Sequence, residues 1–284
     1  MTSASMTSAS PTSESTIAFI GGGNMARSLI GGLLARGTAA ADIRVSEPVD
    51  ALRDALARDF GVAVGADNTE AAAPAGLWLL AVKPQVMRAV CEALAPLAQA
   101  QRPLVVSIAA GITAAQMQRW LGGGVAVVRA MPNTPALLGA GITGLFASSE
   151  VDANGRERAA NLLASAGKTA WIESEAQMDA VTAVSGSGPA YIFLLAEAME
   201  AAALAEGLPA EAARALVLET VLGAARMLTE SGEDPAELRR RVTSPGGTTQ
   251  AAIETFEAGG FRELVASAIR NATERGRQLS AAND

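Results

Sequence analysis

Histidine is absent from the 284 residues and cysteine occurs once, so the commonest general base and a common zinc ligand are both missing. No metal site is expected. Chemistry must come from a bound cofactor, from hydroxyls, lysine and carboxylates, or from backbone dipoles. Two stretches offer such groups. One is GGGNMA at 21–26, directly after the apolar run TIAFI at 16–20. The other is SPGGTTQ at 244–250, where proline, glycines and hydroxyls interrupt a half otherwise rich in Ala, Leu and Glu.

In the first stretch, Gly21, Gly23 and Ala26 fit the G-x-G-x-x-G/A fingerprint of dinucleotide-binding folds, with strand, turn and helix in the required order. Gly21 permits a tight turn, and Gly23 lets the backbone approach a pyrophosphate. Ala26 lets the helix lie close on the strand, while its first N–H groups face the phosphate charge. A second strand, DIRVSEP at 42–48, returns after one helix. Glu47 lies 24 residues beyond Gly23, near the spacing of about 20 expected of an acid that binds the ribose 2′-hydroxyl. That acid favours NAD over NADP, whereas Ser46 tolerates either. Lys83, between an apolar run and Pro84, is expected to touch the cofactor from another strand end.

The elements that position these residues alternate. Short apolar runs at 62–64, 77–82, 103–110 and 125–131 are separated by helical patterns such as PQVMRAVCEALAPLA and TAAQMQRWL. Continuous apolar strands alternating with helices indicate a parallel sheet covered on both faces, with ligands at the carboxyl ends of the strands. Pro132 and Pro135 stiffen the loop PNTPALLGAG, and GITGLFASS (141–149) and KTAWIES (168–174) extend the sheet. The expected fold is α/β: a Rossmann-like doubly wound, mostly parallel sheet at 16–174, followed by an all-helical domain at 175–284. AYIFLLAEAMEAAALAEG and EAARALVLETVLGAARMLTESG are apolar around most of the helix circumference and must be covered on several sides. Subunits are therefore expected to pair through this half. Within it, SGSGP at 185–189 offers Ser185 and Ser187 as helix caps. SPGGTTQ admits two readings. The N–H groups of a helix beginning near Thr248, with the Thr248 and Thr249 hydroxyls, can bind a carboxylate; a threonine N-cap after a glycine hinge would give the same letters.

Half of the residues are hydrophobic, 4% are aromatic, and the net charge is −7. The charge argues against nucleic acid or an anionic membrane as a partner, and no apolar run is expected to reach the ~20 residues that span a bilayer. The opening MTSASMTSASPTSES repeats TSAS without a basic or apolar segment, so 1–15 is read as a disordered tail rather than a signal peptide. Cys91, inside a helical pattern, is expected to be a buried apolar residue in a reducing cytoplasm.

Taken together, FIGGGNMA, AVKPQ, SIAAG, RAMPNTPALLGAG, VSGSGPAYIF and SPGGTTQAAIETFEAGGF resemble the pyrroline-5-carboxylate reductases over about 16–280. SPGGTT joined to SGSGPAY in one chain carries most of the specificity. The resemblance implies reduction of 1-pyrroline-5-carboxylate to L-proline by NADPH or NADH in a cytoplasmic homodimer or larger homo-oligomer. It places the cofactor on Ile20, Gly21, Gly22, Gly23, Asn24, Met25, Ser46, Glu47, Asn68, Ala81, Val82, Lys83, Pro84, Ile108, Ala109 and Ala110. Substrate contacts carry over to Glu175, Thr248 and Thr249, with Thr182 and Val242 nearby and Gly246 and Gly247 supplying backbone N–H groups. Thr249 becomes the candidate hydrogen-bond donor to the imine nitrogen. A β-hydroxyacid dehydrogenase fits less well, because it needs a helix-borne lysine and Lys168, the only lysine after Lys83, precedes a strand. A non-enzymatic redox sensor would leave SPGGTT without a role.

Overall fold

A computed structural model describes residues 13–283 of the chain. The chain divides into two compact units: one runs to Gly186 and regains Ala272–Asp284, and the other is Ser187–Asn271. The helical half was expected to begin at 175; the contact boundary falls later, because the short helices after the last strand pack on the sheet.

In the first unit eight strands form one sheet: β1 (Ser13–Ile20), β2 (Ile43–Ser46), β3 (Ala63–Gly65), β4 (Ala75–Leu80), β5 (Leu104–Ser107), β6 (Ala126–Met131), β7 (Gly141–Ala147) and β8 (Gly167–Trp171). Their order is β3-β2-β1-β4-β5-β6-β7-β8. All pairings are parallel except β6 with β7. β1 begins three residues ahead of the expected Thr16, so Ser13–Ser15 of the expected tail at 1–15 are strand; the rest of that tail, 1–12, lies outside the described residues. The helices are α1 (Asn24–Ala35), α2 (Asp50–Phe60), α3 (Asn68–Ala72), α4 (Pro84–Gln101), α5 (Ala114–Trp120), α6 (Ala153–Leu163) and α7 (Met178–Val181).

Alternate residues of each central strand enter opposite cores, as a period of two requires. Phe19, Leu79 and Val106 pack with Leu29 and Ile30 of α1, Leu56 of α2 and Leu162 of α6. Ala18, Ile20, Trp78, Leu80 and Val105 pack with Met87, Cys91 and Leu94 of α4 and Met117 of α5. Both faces are thus dry, which explains the near-continuous apolar strands. The buried Trp78 indole donates to Ala72 O at 3.1 Å and Ala75 O at 3.0 Å. Cys91 is fully buried, and burial pushes its thiol up to about 12.

After α7 the backbone widens into a π-helical turn, Thr182–Gly186. Thr182 Oγ1 donates to Met178 O at 3.0 Å and Ser185 Oγ to Val181 O at 2.9 Å. Such back-bonding hydroxyls favour an opened turn. Neither Ser185 nor Ser187 acts as the expected cap: the Ser185 hydroxyl is turned back on its own helix, and Ser187 starts the next helix without a side-chain cap bond.

The second unit contains α8 (Gly188–Ala205), α9 (Ala210–Glu230), α10 (Pro235–Arg241), α11 (Thr248–Ala258) and the first part of α12 (Phe261–Ala282). α8 buries no residue, and α9 buries only Ala213 and Val217. Phe193 and Leu194 are each 66% exposed. One expectation is corrected here. The helical run Glu175–Ala205 is long and apolar enough, by length and hydropathy alone, to cross a membrane, where no apolar run of ~20 residues was expected. It is not one unbroken α-helix: a π-turn at Thr182–Gly186 and a bend at Ser187 precede α8.

Candidate active site

The parallel strands β2, β1, β4 and β5 bring four carboxyl ends to one edge of the sheet. β1 starts one winding towards β2 and β3, while β4 starts the other towards β5 and β6, so the crevice for a ligand lies where β1 meets β4. The register pairs Ile20 with both Ser46 and Leu80.

The three glycines after β1 are required for different reasons. Gly21 has φ +101°, and a Cβ there would stand 2.7 Å from Ala81 O. Its N–H donates to Ser46 O at 2.8 Å. A Cβ on Gly22 would meet Leu56 Cδ1 at 2.6 Å. Around Gly23 nothing lies within 4 Å, so no protein contact demands its missing side chain. Gly23 is also the N-cap of α1, with no side-chain cap and no acidic residue in the first turn. That open, uncapped start, followed by the exposed Asn24 and half-buried Met25, fits a pyrophosphate.

The neighbouring strand ends complete an edge for a dinucleotide. Ser46 Oγ donates to Asn68 Oδ1 at 2.5 Å, locking the end of β2 to the start of α3. Ala81 N–H donates to Ile20 O at 2.8 Å. Lys83 is the exposed N-cap of α4, with Pro84 in the first turn. Beyond β5, Ile108 N–H donates to Leu80 O at 3.2 Å and Ala109 N–H to Ser107 Oγ at 3.3 Å, leaving Ala110 exposed. Fifteen of the sixteen expected cofactor residues fall on β1, β2, β4 and β5 or on the segments directly after them, and Asn68, at the start of α3 after β3, is tied to the end of β2 through Ser46.

Glu47 is the position that sequence reading described incompletely. It is 7% exposed, and its carboxylate accepts from Gly22 N–H at 2.9 Å and Val49 N–H at 3.0 Å. The acid braces the glycine turn as well as ending β2. Arg53 donates to Glu47 O at 2.6 Å and pairs with Asp50, so the cation nearest this corner already has partners.

Of the expected substrate residues, Glu175 and Thr182 belong to the first unit, and Val242, Gly246, Gly247, Thr248 and Thr249 to the second. Glu175 Oε1 accepts from Ala114 N–H at 2.6 Å and stands 3.5 Å from Arg129. Thr182 Oγ1 is bonded to its own helix. Val242 ends α10 and is 58% exposed. The two readings of SPGGTTQ are now separable. The N-cap of α11 is Gly247, not a threonine, and no side chain caps it. Thr248 and Thr249 are the first two helical residues, with no acidic side chain in that turn. Gly246 takes φ +71°, and its N–H donates to Gln250 Oε1 at 2.6 Å. The helix start thus presents N–H groups and hydroxyls where a carboxylate is electrostatically favoured.

Sequence reading missed the buried cluster of Arg129 with Asp179, at 3.2 Å, and Glu175. Arg129 stands in RAMPNTP and Asp179 in a helical pattern, and neither spacing reveals the other.

A doubly wound sheet with a glycine turn at its switch point, joined to a helical unit, defines a dinucleotide-dependent oxidoreductase. Two family models match: "NADP oxidoreductase coenzyme F420-dependent" at 16–111 and "Pyrroline-5-carboxylate reductase dimerisation" at 175–279. The pyrroline-5-carboxylate reductase of Pseudomonas aeruginosa is 54% identical over 93% of this chain and 96% of its own length. A structure of that enzyme from Coxiella burnetii is 43% identical, with a TM-score of 0.91, and covers 94% of this chain and 99% of its own. Plasmodium falciparum pyrroline carboxylate reductase, solved with NADP bound, is 26% identical with a TM-score of 0.81 over 93% of this chain and 98% of its own. The chain belongs to the pyrroline-5-carboxylate reductase family. It is an NAD(P)H-dependent oxidoreductase, and its dimerisation region indicates a homo-oligomer.

Proposed function

We propose that this chain reduces 1-pyrroline-5-carboxylate to L-proline, the last step of proline biosynthesis, with the residues at the carboxyl edge of the sheet holding NAD(P)H and the start of α11 holding the substrate carboxylate. When bound, the reduced nicotinamide supplies hydride to the imine carbon. The protein supplies orientation and charge. N–H groups of the first turn of α11 and the hydroxyls of Thr248 and Thr249 bind the carboxylate, with Gly246 and Gly247 shaping the approach. Thr249 donates a hydrogen bond to the ring nitrogen and so fixes the face of the C=N bond. A neutral hydroxyl is a weak acid, so Thr249 positions the unprotonated nitrogen, and the proton taken up as hydride reaches the carbon comes from water through that hydroxyl. Glu175, Thr182 and Val242 are assigned as supporting substrate contacts on the family resemblance alone. The observation that carries the substrate assignment is the uncapped α11 start behind Gly247.

The same reading places the enzyme in the cytoplasm as a homodimer or larger assembly built through α8 and α9. Oxidation of NAD(P)H with pyrroline-5-carboxylate, compared with reduction of NAD(P)+ by a hydroxyacid, tests the reaction. Thr249→Ala is expected to lower kcat by about 100- to 1,000-fold, the range for losing one oriented donor, while the dinucleotide Kd stays within about twofold. Wild-type kinetics in that variant reject the role.

A further inference from the structure

We infer that the end of α12 is a clamp that positions the cofactor-binding turn after β5, with Asn283 and Asp179 as its positioning residues. The inference rests only on the reading that Ile108, Ala109 and Ala110 contact the dinucleotide. These residues run into Gly111, which takes φ +72°. A Cβ on Gly111 would stand 3.3 Å from Leu279 Cβ and 3.5 Å from Asn283 Nδ2, so the turn is packed directly against the last turns of the helix. Asn283 Nδ2 donates to Gly111 O at 3.1 Å and to Leu279 O at 2.9 Å. One amide thus ties the turn's carbonyl to the helix end.

The start of α5, two residues further on, is held by the same helix. Gln116 is 3% exposed. Its Oε1 accepts from Thr113 N–H at 2.8 Å, closing the α5 capping box, and its Nε2 donates to Ser280 O at 3.1 Å. Ser280 O belongs to the last turn of α12, where carbonyls have no partner within the helix. Below, Asp179 accepts from Arg129 Nη2 at 3.2 Å and Ser280 Oγ at 3.5 Å. Gly276 brings α12 close to Asp179: a Cβ there would stand 3.1 Å from Asp179 Cβ, a tight contact. Glu175 fixes the first N–H of α5 from the other side, through Ala114. Arg129 is 4% exposed and pairs with both acids, so the buried Asp179 carboxylate has a cation beside it.

A turn held before the ligand arrives need not be ordered by it, and that lowers the dissociation constant without touching the reacting atoms. The clamp is therefore expected to act on cofactor affinity rather than on turnover. Asn283→Ala removes one hydrogen bond at a partly exposed site and should leave the fold intact. It is expected to raise the calorimetric Kd for NADP+ and NAD+ alike by about fivefold, the equivalent of one net hydrogen bond, with kcat at saturating cofactor within about twofold. Asn283→Asp, which places a carboxylate against the Gly111 carbonyl, should raise it further. Asp179→Asn keeps the size but not the charge and should move Kd in the same direction, with faster amide exchange at 108–112. A merely structural anchor would lower Tm and leave Kd at 25 °C unchanged. Kd values within about twofold of wild type in both Asn283 variants overturn the proposal. If the wild type binds dinucleotide but does not reduce the imine, the functional reading fails and the clamp is still measured. If the wild type binds no dinucleotide, the turn is not a cofactor site and the clamp falls with it.

Discussion

The two compact units of this chain are built on opposite principles. In the first, Phe19, Ile20, Leu29, Ile30, Trp78, Leu79 and Leu80 have no exposed surface, and two cores are complete on either side of the sheet. In the second, Ile192, Phe193, Leu194, Leu216, Leu218, Leu222 and Leu264 are each between 47% and 68% exposed. The difference is what each unit can bury alone. A sheet covered on both faces by its own crossover helices needs nothing further. Four helices and part of a fifth leave apolar surface uncovered, and the dimerisation model that matches this region indicates a homo-oligomer. The first unit buries its own apolar faces, whereas the second leaves its apolar faces exposed.

The strongest way to break that contrast is to charge the helical surface. Phe193→Asp with Leu194→Asp is expected to abolish the oligomer, read by light scattering, and to leave dinucleotide binding by the first unit measurable. Retention of the oligomer would show that α8 is not the covered face. A second, slightly smaller effect is expected in the first unit at Gly21. Alanine there would force a Cβ to within 2.7 Å of Ala81 O at φ +101°, and strain of about 1–3 kcal/mol should cost roughly ten- to a hundredfold in dinucleotide affinity with the oligomer unchanged. Loss of assembly in Gly21→Ala would join the two units that the contrast separates.

Smaller in size but sharper in meaning is Glu47. Its fixed carboxylate would oppose a 2′-phosphate if the adenosine ribose lies at the end of β2, as the sequence spacing leads one to expect. Glu47→Gln keeps the size and one acceptor oxygen for the turn. It is expected to raise the NADPH to NADH ratio of kcat/KM by about fivefold, the scale of one charge contact near a wet surface. An unchanged ratio removes Glu47 from cofactor choice and leaves it as a brace alone. The smallest effect is expected at Cys91. Burial holds its thiol near 12 against an ordinary 9.0, so the thiolate appears only as pH rises towards that value. Thiol reagents at pH 8 should leave activity unchanged, and rapid labelling of the native protein would show that the α4 core opens.

Much of the first unit was legible in the residues. The apolar runs marked all eight strands to within three residues at either end, because strands buried on both faces show little but Val, Ile, Leu and Ala. The glycine turn was legible because only glycine survives at Gly21. Glu47 was legible as an acid near the right spacing but not as a partner of Gly22, since that bond depends on β1 and β2 lying side by side. SPGGTTQ was legible as a helix start; whether a threonine capped it depended on which residue took the extended conformation, and that residue is Gly247. The π-turn at Thr182–Gly186 left no mark at all, because serines and glycines in a row suggest a break as readily as a widened helix.

By itself, then, the order of residues determined the local chemistry: a parallel sheet, a phosphate-ready turn, an apolar set of helices, and no imidazole anywhere for proton transfer. Those outcomes follow from short-range sterics and from periodicity, which a linear string carries in full. Only the tertiary structure decided which acids are engaged, that Arg129 meets Asp179 across 50 residues, and that the last turn of the chain rests on the turn after β5. Such pairings depend on through-space proximity, and proximity between distant residues is settled by how the elements pack.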